Sequence, residues 1–406
     1  MLPTQDQLHV ILSGDAHVVP LPALKEKLDR GVPLRVKLGV DPTAPDLHLG
    51  HAVPLRKLRQ LQDLGHQVVL LIGNGTALIG DPSGRNSTRP PLTSAQIAHN
   101  AQTYVDQAFK ILDKDKTELT WNGDWLTPLD LKGILELAAH FTVARILERD
   151  DFSNRYKAQQ PISLHEFLYP VMQAYDSVEV RADIELGGTD QLFNLLAGRE
   201  LMEKRGMEPQ VCLTLPLLEG TDGVQKMSKS YGNYIGITDE PADMFGKLMS
   251  IPDSLMPRYF YLASTLPVDE ADAIVAGLAN GTLHPNEVKR QLAANVVTAY
   301  HDEAAAREAE AAFDRVFKEG ALPAQIPEVA LALEPAADGT VYMAAVLVEL
   351  GFAVSAGEAR RLIDGGGVKI AGEALEKGTY HVAPARLKAA VVQVGKRRYA
   401  RVMLES

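Results

Sequence analysis

The stretch KLGVDPTAPDLHLGH, from Lys37 to His51, constrains the fold of this chain more than any other segment. It begins as the end of an apolar strand, crosses a turn rich in Asp, Pro and Thr, and enters an amphipathic helical pattern that Gly65 can end. The free N–H groups and partial positive charge at a helix start favour phosphate. His48 and His51 lie three residues apart on that first turn and can donate hydrogen bonds to an oxygen that gains negative charge.

Two histidines at this spacing also occur incidentally or as part of a metal site. The metal alternative finds no further ligand nearby. The single cysteine, Cys212, lies in the apolar run QVCLTLPLL, where a buried inert thiol is the expected role. We therefore expect no metal held by the protein.

Length limits the number of domains, and charge limits the kinds of partner. A chain of 406 residues exceeds one ordinary core, so two or three domains are expected. The formal net charge of −11 argues against indiscriminate binding of polyanions. From Gly351 to Ser406, however, ten Lys and Arg residues stand against five Asp and Glu residues, and a local basic module of this kind can bind nucleic acid.

The cellular compartment follows from the first residues and from the cysteine content. MLPTQDQLHVILSGD lacks the basic start and continuous apolar run of a signal peptide, and no run approaches the length of a membrane span. One cysteine cannot form an internal disulfide. We expect a cytoplasmic protein.

Strand and helix signals alternate through the first half of the chain. LRVKLGV, the helix after it, QVVLLIG, a polar helix from about Ser94 to Leu112 and TELTWN follow one another. This alternation predicts an α/β fold with a Rossmann-like parallel sheet, in which ligands bind at the carboxyl ends of the strands. VEVRADIELGG and PQVCLTLPLL are predicted as later strands, with the helix TDQLFNLLAGRELMEKRG between them.

The domain boundaries are read from changes in pattern. A helical insertion at about 124–167 interrupts the sheet and suits either a substrate lid or a dimer contact. We predict a catalytic domain at 1–235, an all-α domain at 236–325, a proline-containing linker at 326–340 and a small α+β domain at 341–406.

Two loops carry charged groups suited to a phosphate ligand. In LIGNGTALIGDPSGRNSTR, Asp81 can bind an ammonium group, while Arg85 and Arg89 can bind phosphate or can simply be solvated. The loop is neither a P-loop nor a GxGxxG fingerprint. KMSKS, at 226–230, places two lysines where they can reach a triphosphate and follow a departing pyrophosphate, although a KxxK loop is usually plain solvated surface.

HLGH together with KMSKS, in this order and separation, resembles the paired signatures of class I aminoacyl-tRNA synthetases. YPVMQAYD, with Tyr169, Gln173 and Asp176, and GGTDQ, ending at Gln191, are similar to the tyrosyl-tRNA synthetase family. The resemblance covers essentially the whole chain. The segment from about Val341 looks like the S4 RNA-binding domain of bacterial tyrosyl enzymes.

The resemblance implies a role for each matching residue. The residues implied to bind tyrosine are Gly39, Asp81, Tyr169, Gln173, Asp176 and Gln191. Those implied to be catalytic are His51, near the ribose, and, at the phosphates, Thr43, His48, Arg85, Arg89, Lys226 and Lys229. Those implied to bind ATP are Asp41, Gly50, Asp190, Lys226, Met227, Ser228, Lys229 and Ser230. Those implied to bind tRNA are Arg360, Arg361, Lys369, Arg397 and Arg398.

The same resemblance implies the reaction and the partners. The substrates would be L-tyrosine, ATP with Mg²⁺ and tRNA-Tyr, with tyrosyl-adenylate and pyrophosphate formed first and no tightly bound cofactor. The family works as a homodimer through the helical insertion. In this family Asp176 would read the substrate phenol, because a buried carboxylate left unpaired by phenylalanine is costly; tyrosyl-tRNA synthetase is itself the established illustration of such selectivity.

Two positions depart from the better-known branch of the family. Lys37 stands where that branch has a tyrosine that helps to read the substrate phenol, and Arg85 replaces a lysine. The form LKLGVDPTAPDLHLGH resembles a second bacterial branch.

Three alternative functions share parts of this pattern. A tryptophanyl enzyme has the same fold, but Asp176 suits an indole pocket poorly and an S4 domain is unexpected there. A catalytically silent RNA-binding paralogue would not need HLGH, KMSKS or YxxxQxxD. A general nucleotidyltransferase would leave the basic C-terminal module unexplained.

Overall fold

The structure is a computed structural model that describes residues 1–43, 45–83, 92–317, 326–332, 336, 338–395 and 398–404. The chain forms two compact units, residues 1–309 and 310–406. Among the described residues, no helix is both long and apolar enough to cross a membrane.

A six-stranded sheet forms the centre of the first unit. Its strands are β1 (His17–Val19), β2 (Arg35–Val40), β3 (Gln67–Ile72), β4 (Thr117–Trp121), β5 (Ile184–Gly188) and β6 (Val211–Leu215). Their order across the sheet is β1-β6-β5-β2-β3-β4, and every neighbouring pair is parallel except β1 with β6. The prediction of a Rossmann-like parallel sheet is confirmed.

Helices connect these strands and continue beyond them. In chain order they are α1 (Thr4–Leu12), α2 (Leu21–Asp29), α3 (Leu49–Asp63), α4 (Ser94–Ala108), α5 (Gly123–Leu126), α6 (Leu131–Ala138), α7 (Val143–Ile146), α8 (Asp150–Lys157), α9 (Leu168–Val180), α10 (Leu192–Lys204), α11 (Pro241–Ser250), α12 (Met256–Leu262), α13 (Val268–Ala279), α14 (Pro285–Tyr300) and α15 (Glu303–Phe317). The helices α5 to α9 lie between β4 and β5, as the predicted insertion requires. From Pro241 to Phe317 the chain forms the helices α11 to α15 and no strand, as the composition of this region predicts.

The helix α3 shows how the local sequence places the site. After β2 and a short turn, His48 precedes the helix with an extended backbone (φ −122°, ψ 171°), as is usual for the residue before the first turn of a helix. Its leucines Leu55, Leu58 and Leu61 are fully buried, which orients the helix along the sheet. Just past the helix, Gly65 has φ +95°, a conformation that favours glycine and that ends α3 as predicted.

The second unit is a small α+β domain. Its strands are β7 (Glu328–Leu331), β8 (Val341–Tyr342), β9 (Val368–Ile370), β10 (Glu373–Ala374), β11 (His381–Val382), β12 (Val391–Val394) and β13 (Arg398–Leu404), and its complete helices are α16 (Met343–Glu349) and α17 (Ala356–Asp364). Five strands form a sheet in the order β10-β9-β12-β13-β7. The apolar core beneath it includes Val346, Leu347, Ile363 and Val392.

Two predicted element boundaries need correction. Residues 328–331 of the predicted linker form β7, which pairs with β13 in parallel, because Val329 and Leu331 are apolar enough to join the core of the second unit. Residues 178–180 of the predicted strand VEVRADIELGG instead finish α9, and Arg181 closes that helix with φ +53°. The division of the first unit at residue 235 stays a prediction.

Candidate active site

The carboxyl ends of β2, β3, β5 and β6 open onto a cavity of about 630 Å³. Parallel sheets bind their ligands at such an edge. Most of the predicted site residues line this cavity, namely Gly39, Asp41, Thr43, Gly50, His51, Asp81, Tyr169, Gln173, Asp176, Asp190, Gln191, Lys226, Ser228 and Ser230. Segments far apart in the sequence therefore meet at one place.

Asp176, on α9, lies at the buried end of the cavity. Its two oxygens accept hydrogen bonds from the indole Nε1 of Trp125 at 2.9 Å and from the amide Nδ2 of Asn122 at 3.1 Å. Burial raises the pKa of Asp176 to about 6, against the opposing effect of the Lys37 ammonium. At neutral pH the group is a carboxylate with free lone pairs, which suits it to accept the hydroxyl of a ligand.

Asn122 and Trp125 were not predicted from the sequence. They follow β4, whose carboxyl end lies at the same edge as those of β2 and β3. Asn122 is fully buried, and its Nδ2 also donates to the hydroxyl of Thr76 at 3.0 Å. The available signal was their place at the end of the predicted strand TELTWN, Asn122 as its last residue and Trp125 three residues later.

A second carboxylate, Asp81, lies within a polar network. It accepts hydrogen bonds from the Ser83 hydroxyl at 2.6 Å and from Nε2 of Gln191 at 2.8 Å, and it contacts the Arg149 guanidinium at 3.3 Å. Arg149 comes from the helical insertion and also donates to Asn194 at 2.9 Å. Arg149 was missed because nothing in the insertion's sequence separates it from the other charged residues there.

Asn194 links this network to the predicted tyrosine-binding residues. Its Nδ2 donates to Oε1 of Gln173 at 2.8 Å and to Oε1 of Gln191 at 2.9 Å. Both glutamine side chains are thereby held in fixed orientations. A positively charged ligand group entering beside Asp81 would meet acceptors that are already placed.

Asp41 follows β2 and lies between two hydroxyl donors. Thr76 donates to it at 2.7 Å and Tyr169 at 3.0 Å. Desolvation raises the pKa of Asp41 to about 7, with Asp81 and Asp176 contributing repulsion. Gly73 is required beside it, because a Cβ there would lie 2.0 Å from Oδ1 of Asp41.

The two predicted histidines stack at the start of α3. Their ring centroids are 3.8 Å apart at an interplanar angle of 23°, and the backbone N–H of His48 donates to Nδ1 of His51 at 3.4 Å. Burial, then the neighbouring His51 and Lys229, lower the pKa of His48 to about 3. Its ring is therefore neutral at physiological pH. A Cβ at Gly50 would lie 3.0 Å from this ring, so the glycine allows the close approach.

The KMSKS loop lines the cavity on the side of α3 with Lys226, Ser228 and Ser230. Met227 is 5% exposed and its N–H donates to the Leu218 carbonyl at 2.8 Å, so this residue anchors the loop. Asn233 accepts from the N–H of Ser228 at 2.8 Å. Lys229 pairs with Asp46, in the turn before α3, at 3.1 Å. The loop thus lies next to the start of α3, where the sequence predicts that phosphate binds.

Arg85 and Arg89 lie outside the described residues, as does Arg397. Of the other residues predicted to bind tRNA, Arg360 and Arg361 are exposed on α17 and Lys369 is exposed on β9. The Arg398 guanidinium instead donates to the carbonyl oxygen of Phe352. Part of its hydrogen-bonding capacity is therefore used within the second unit.

A largely parallel sheet, a histidine pair at the start of α3 after β2, and a lysine-bearing loop after β6 together define a class I aminoacyl-tRNA synthetase catalytic unit. Family models agree with this class. Residues 29–318 match the model described as tRNA synthetases class I (W and Y), and residues 344–385 match the S4 domain.

Curated relatives show to which of these two amino acid types, W or Y, the chain is similar. The chain is 51% identical to the tyrosine–tRNA ligase of Aromatoleum aromaticum over 405 residues, covering 100% of each chain. It is 50% identical to that of Moorella thermoacetica over 400 residues, covering 98% of this chain and 95% of the relative. The chain therefore belongs to the tyrosyl branch of the class I tRNA synthetases, with a C-terminal S4 domain.

A solved structure agrees with the fold. Tyrosyl-tRNA synthetase from Archaeoglobus fulgidus, complexed with L-tyrosine, superposes with a TM-score of 0.63 at 23% identity, covering 76% of this chain and 99% of that one. The α/β fold predicted from the alternating pattern is the fold of this neighbour.

Proposed function

We propose that this chain is a tyrosine–tRNA ligase. It activates L-tyrosine with ATP to give tyrosyl-adenylate and pyrophosphate, and then transfers the tyrosyl group to the 3′-terminal adenosine of tRNA-Tyr. The observation that carries the proposal is the placement of a buried acceptor, Asp176, in the same cavity as the His51 turn and the KMSKS loop. Full-length relatives of the same name support it.

The amino acid occupies the end of the cavity near α9. Its phenol hydroxyl donates to Asp176, and its ammonium group binds beside Asp81 and Gln173, with Tyr169 alongside. Gln191 lies next to the reacting carboxylate, and Gly39 leaves room for the substrate backbone. The support for this orientation is that Asp81 and Asp176 are separate carboxylates held by different donors.

ATP occupies the other end, over the start of α3. Thr43 and His48 bind the γ-phosphate side, His51 and Asp190 lie near the ribose, and Gly50 allows close approach. Asp41 lies between the amino acid and the ribose. The remaining residues proposed for ATP are those of the loop, Lys226 to Ser230.

The chemistry is attack of the tyrosine carboxylate on the α-phosphorus of ATP, with pyrophosphate leaving. Lys226 and Lys229, with Arg85 and Arg89, stabilise the charge on the phosphates as the bond to the leaving group breaks. Neutral His48 donates a hydrogen bond without adding a charge of its own. Catalysis therefore rests on positioning and on charge stabilisation, without a covalent enzyme intermediate. Mg²⁺ enters with ATP as part of the substrate.

The partners follow from the surfaces. Arg360, Arg361 and Lys369 contact tRNA from the second unit. The helical insertion at about 124–167 forms a homodimer interface, a proposal supported by its exposed apolar side chains, which are Leu131, Leu135, Val143, Tyr156 and Leu164. The enzyme works in the cytoplasm, where translation takes place.

Amino-acid-dependent ATP/pyrophosphate exchange tests the activation step. Tyrosine, phenylalanine and tryptophan are compared as substrates for the wild type and for Asp176→Asn. We expect exchange with tyrosine alone in the wild type, and weaker discrimination against phenylalanine in the variant. Folded protein that shows no exchange with any of the three would leave an RNA-binding paralogue as the better account, and exchange with tryptophan alone would indicate the tryptophanyl alternative.

A further inference from the structure

The position that departs from the family pattern, Lys37, lies at the bottom of the substrate cavity. Its side chain is 0% exposed, although the residue contributes to the cavity lining together with Asp176 and Gln173. A lysine is rarely buried to this extent unless a partner compensates its charge. Here the compensating carboxylate comes from the neighbouring strand β5.

Lys37 is held in place by a buried network. Its Nζ donates to Oε1 of Glu185 at 2.9 Å and to the hydroxyl of Ser177 at 3.2 Å. The other oxygen of Glu185 accepts from Ser177 at 2.5 Å and from Gln210 at 2.9 Å. All four residues are buried.

This network lies beside the proposed phenol acceptor, since Lys37 and Asp176 line the same cavity. Ser177 is the residue after Asp176 on α9, so the ammonium group lies against the turn of helix that presents the Asp176 carboxylate. Asn122 and Trp125 already donate to that carboxylate. Lys37 therefore adds a positive charge near Asp176 without taking up one of its oxygens as a hydrogen-bond partner.

We propose that Lys37, held by Glu185 and Ser177 in the cavity that Asp176 also lines, is a specificity-determining positioning residue that maintains Asp176 as the acceptor of the substrate's phenolic hydroxyl. The proposal rests on the tyrosine–tRNA ligase function proposed above. In this chain a buried charge takes the place of the additional tyrosine hydroxyl used by the better-known branch. Phenylalanine is rejected because it would leave that carboxylate unpaired.

The electrostatic surroundings of Asp176 support this role. Burial raises the pKa of Asp176, Lys37 lowers it, and Glu185 raises it by a smaller amount. Two further titratable groups, Asp41 and Tyr169, face it from the end of β2 and from α9. The titration of Asp41 affects the activation of every amino acid substrate alike, so it cancels when two substrates are compared. The quantity to measure is therefore the ratio of kcat/KM for tyrosine to that for phenylalanine.

The test measures this ratio between pH 5.5 and 9 by ATP/pyrophosphate exchange, in variants with opposite expected effects. Lys37→Met/Glu185→Gln removes both charges, and the pKa of Asp176 should rise. The ratio at pH 7 should then fall by about tenfold and recover as the pH rises. Glu185→Gln alone leaves the ammonium group of Lys37 beside Asp176. In this variant the ratio should remain high down to a lower pH than in the wild type. Lys37→Arg should keep the wild-type profile.

Lys57→Met is the control, because it also removes a buried lysine side chain, one whose Nζ donates to the Val10 carbonyl at 2.7 Å and which does not line the cavity. It should leave the ratio unchanged at every pH. Circular dichroism shows whether the double variant folds. If it does not fold, Glu185→Gln still tests the inference, because the pH at which its ratio falls should be lower than in the wild type.

Wild-type profiles in the folded double variant and in Glu185→Gln would overturn the inference while leaving the proposed function intact. Absence of tyrosine-dependent exchange in the wild type would instead overturn the proposed function itself. The two failures are therefore distinguishable in one series of measurements.

Discussion

At the scale of single residues, the buried imidazole of His48 makes the stability of the protein depend on pH. Its pKa is about 3 in the folded chain, whereas an unfolded histidine has its ordinary value of 6.5. Below pH 6.5 the unfolded chain binds a proton that the folded chain does not, so the free energy of unfolding falls as the pH falls through this window. From pH 7 to pH 5 the wild type should lose about 2 kcal/mol more than His48→Asn, which keeps a residue suited to a helix start.

Urea unfolding at a series of pH values measures this difference. His99→Asn, on the exposed side of α4, is the control and should follow the wild type. Equal losses in the wild type and in His48→Asn would contradict the proposed neutral, buried state of this ring.

The residues that the sequence could predict are those in motifs or directly after strands. His48, Lys226 and Asp176 belong to local patterns whose spacing is visible without a structure. Arg149 reaches the site through tertiary packing of the insertion, and no local spacing marks it. Asn122 and Trp125 lie at and just after the end of the predicted strand TELTWN, but nothing in the sequence separates them from their neighbours as donors to Asp176. Lys37 was visible as a departure from the family pattern, but its partner Glu185 lies on the neighbouring strand β5, 148 residues away in sequence.

At the scale of elements, the helical insertion carries apolar side chains that the unit itself does not cover. Leu131 is 72% exposed and Leu135 is 59% exposed, both on α6. If the insertion is the dimer interface, Leu131→Asp/Leu135→Asp places two charges in an apolar contact, and the dimer should dissociate at least about a hundredfold more readily. Analytical ultracentrifugation over a range of concentrations measures this change.

The control for this experiment is Val354→Asp, which changes a side chain that is 91% exposed in the second unit. It should leave the association constant unchanged. A dimer that survives the double substitution at wild-type strength would place the interface elsewhere, and a wild type that is monomeric at all concentrations would remove the dimer proposal.

Element types were more predictable than element ends. The alternation of strands and helices follows from periodicity, and β2, α3 and β3 occupy the predicted positions. The edge strand β1 and the strand β7 are short, and each depends on pairing with a strand far away in sequence, β6 and β13 respectively. Such pairings are tertiary, so a single-sequence pattern carries little trace of them.

At the scale of the whole molecule, the chain combines an acidic total charge with a basic C-terminal region. The two proposed activities should separate along this division, because amino acid activation needs only the cavity of the first unit while charging also needs tRNA. Arg360→Glu/Arg361→Glu changes two exposed side chains on α17. We expect tyrosine-dependent exchange to stay at the wild-type level and KM for tRNA-Tyr to rise about tenfold or more.

Salt dependence distinguishes the loss of phosphate neutralisation from a general disturbance of the second unit. If both arginines neutralise phosphates, the slope of log affinity against log salt should become shallower by about 1 for each phosphate that the variant leaves without its arginine. Arg360→Lys/Arg361→Lys keeps both charges and should retain most of the slope. An unchanged slope and KM in the glutamate variant would show that this face of α17 does not bind tRNA, whereas a parallel loss of exchange would mean that the substitutions affect the catalytic unit as well.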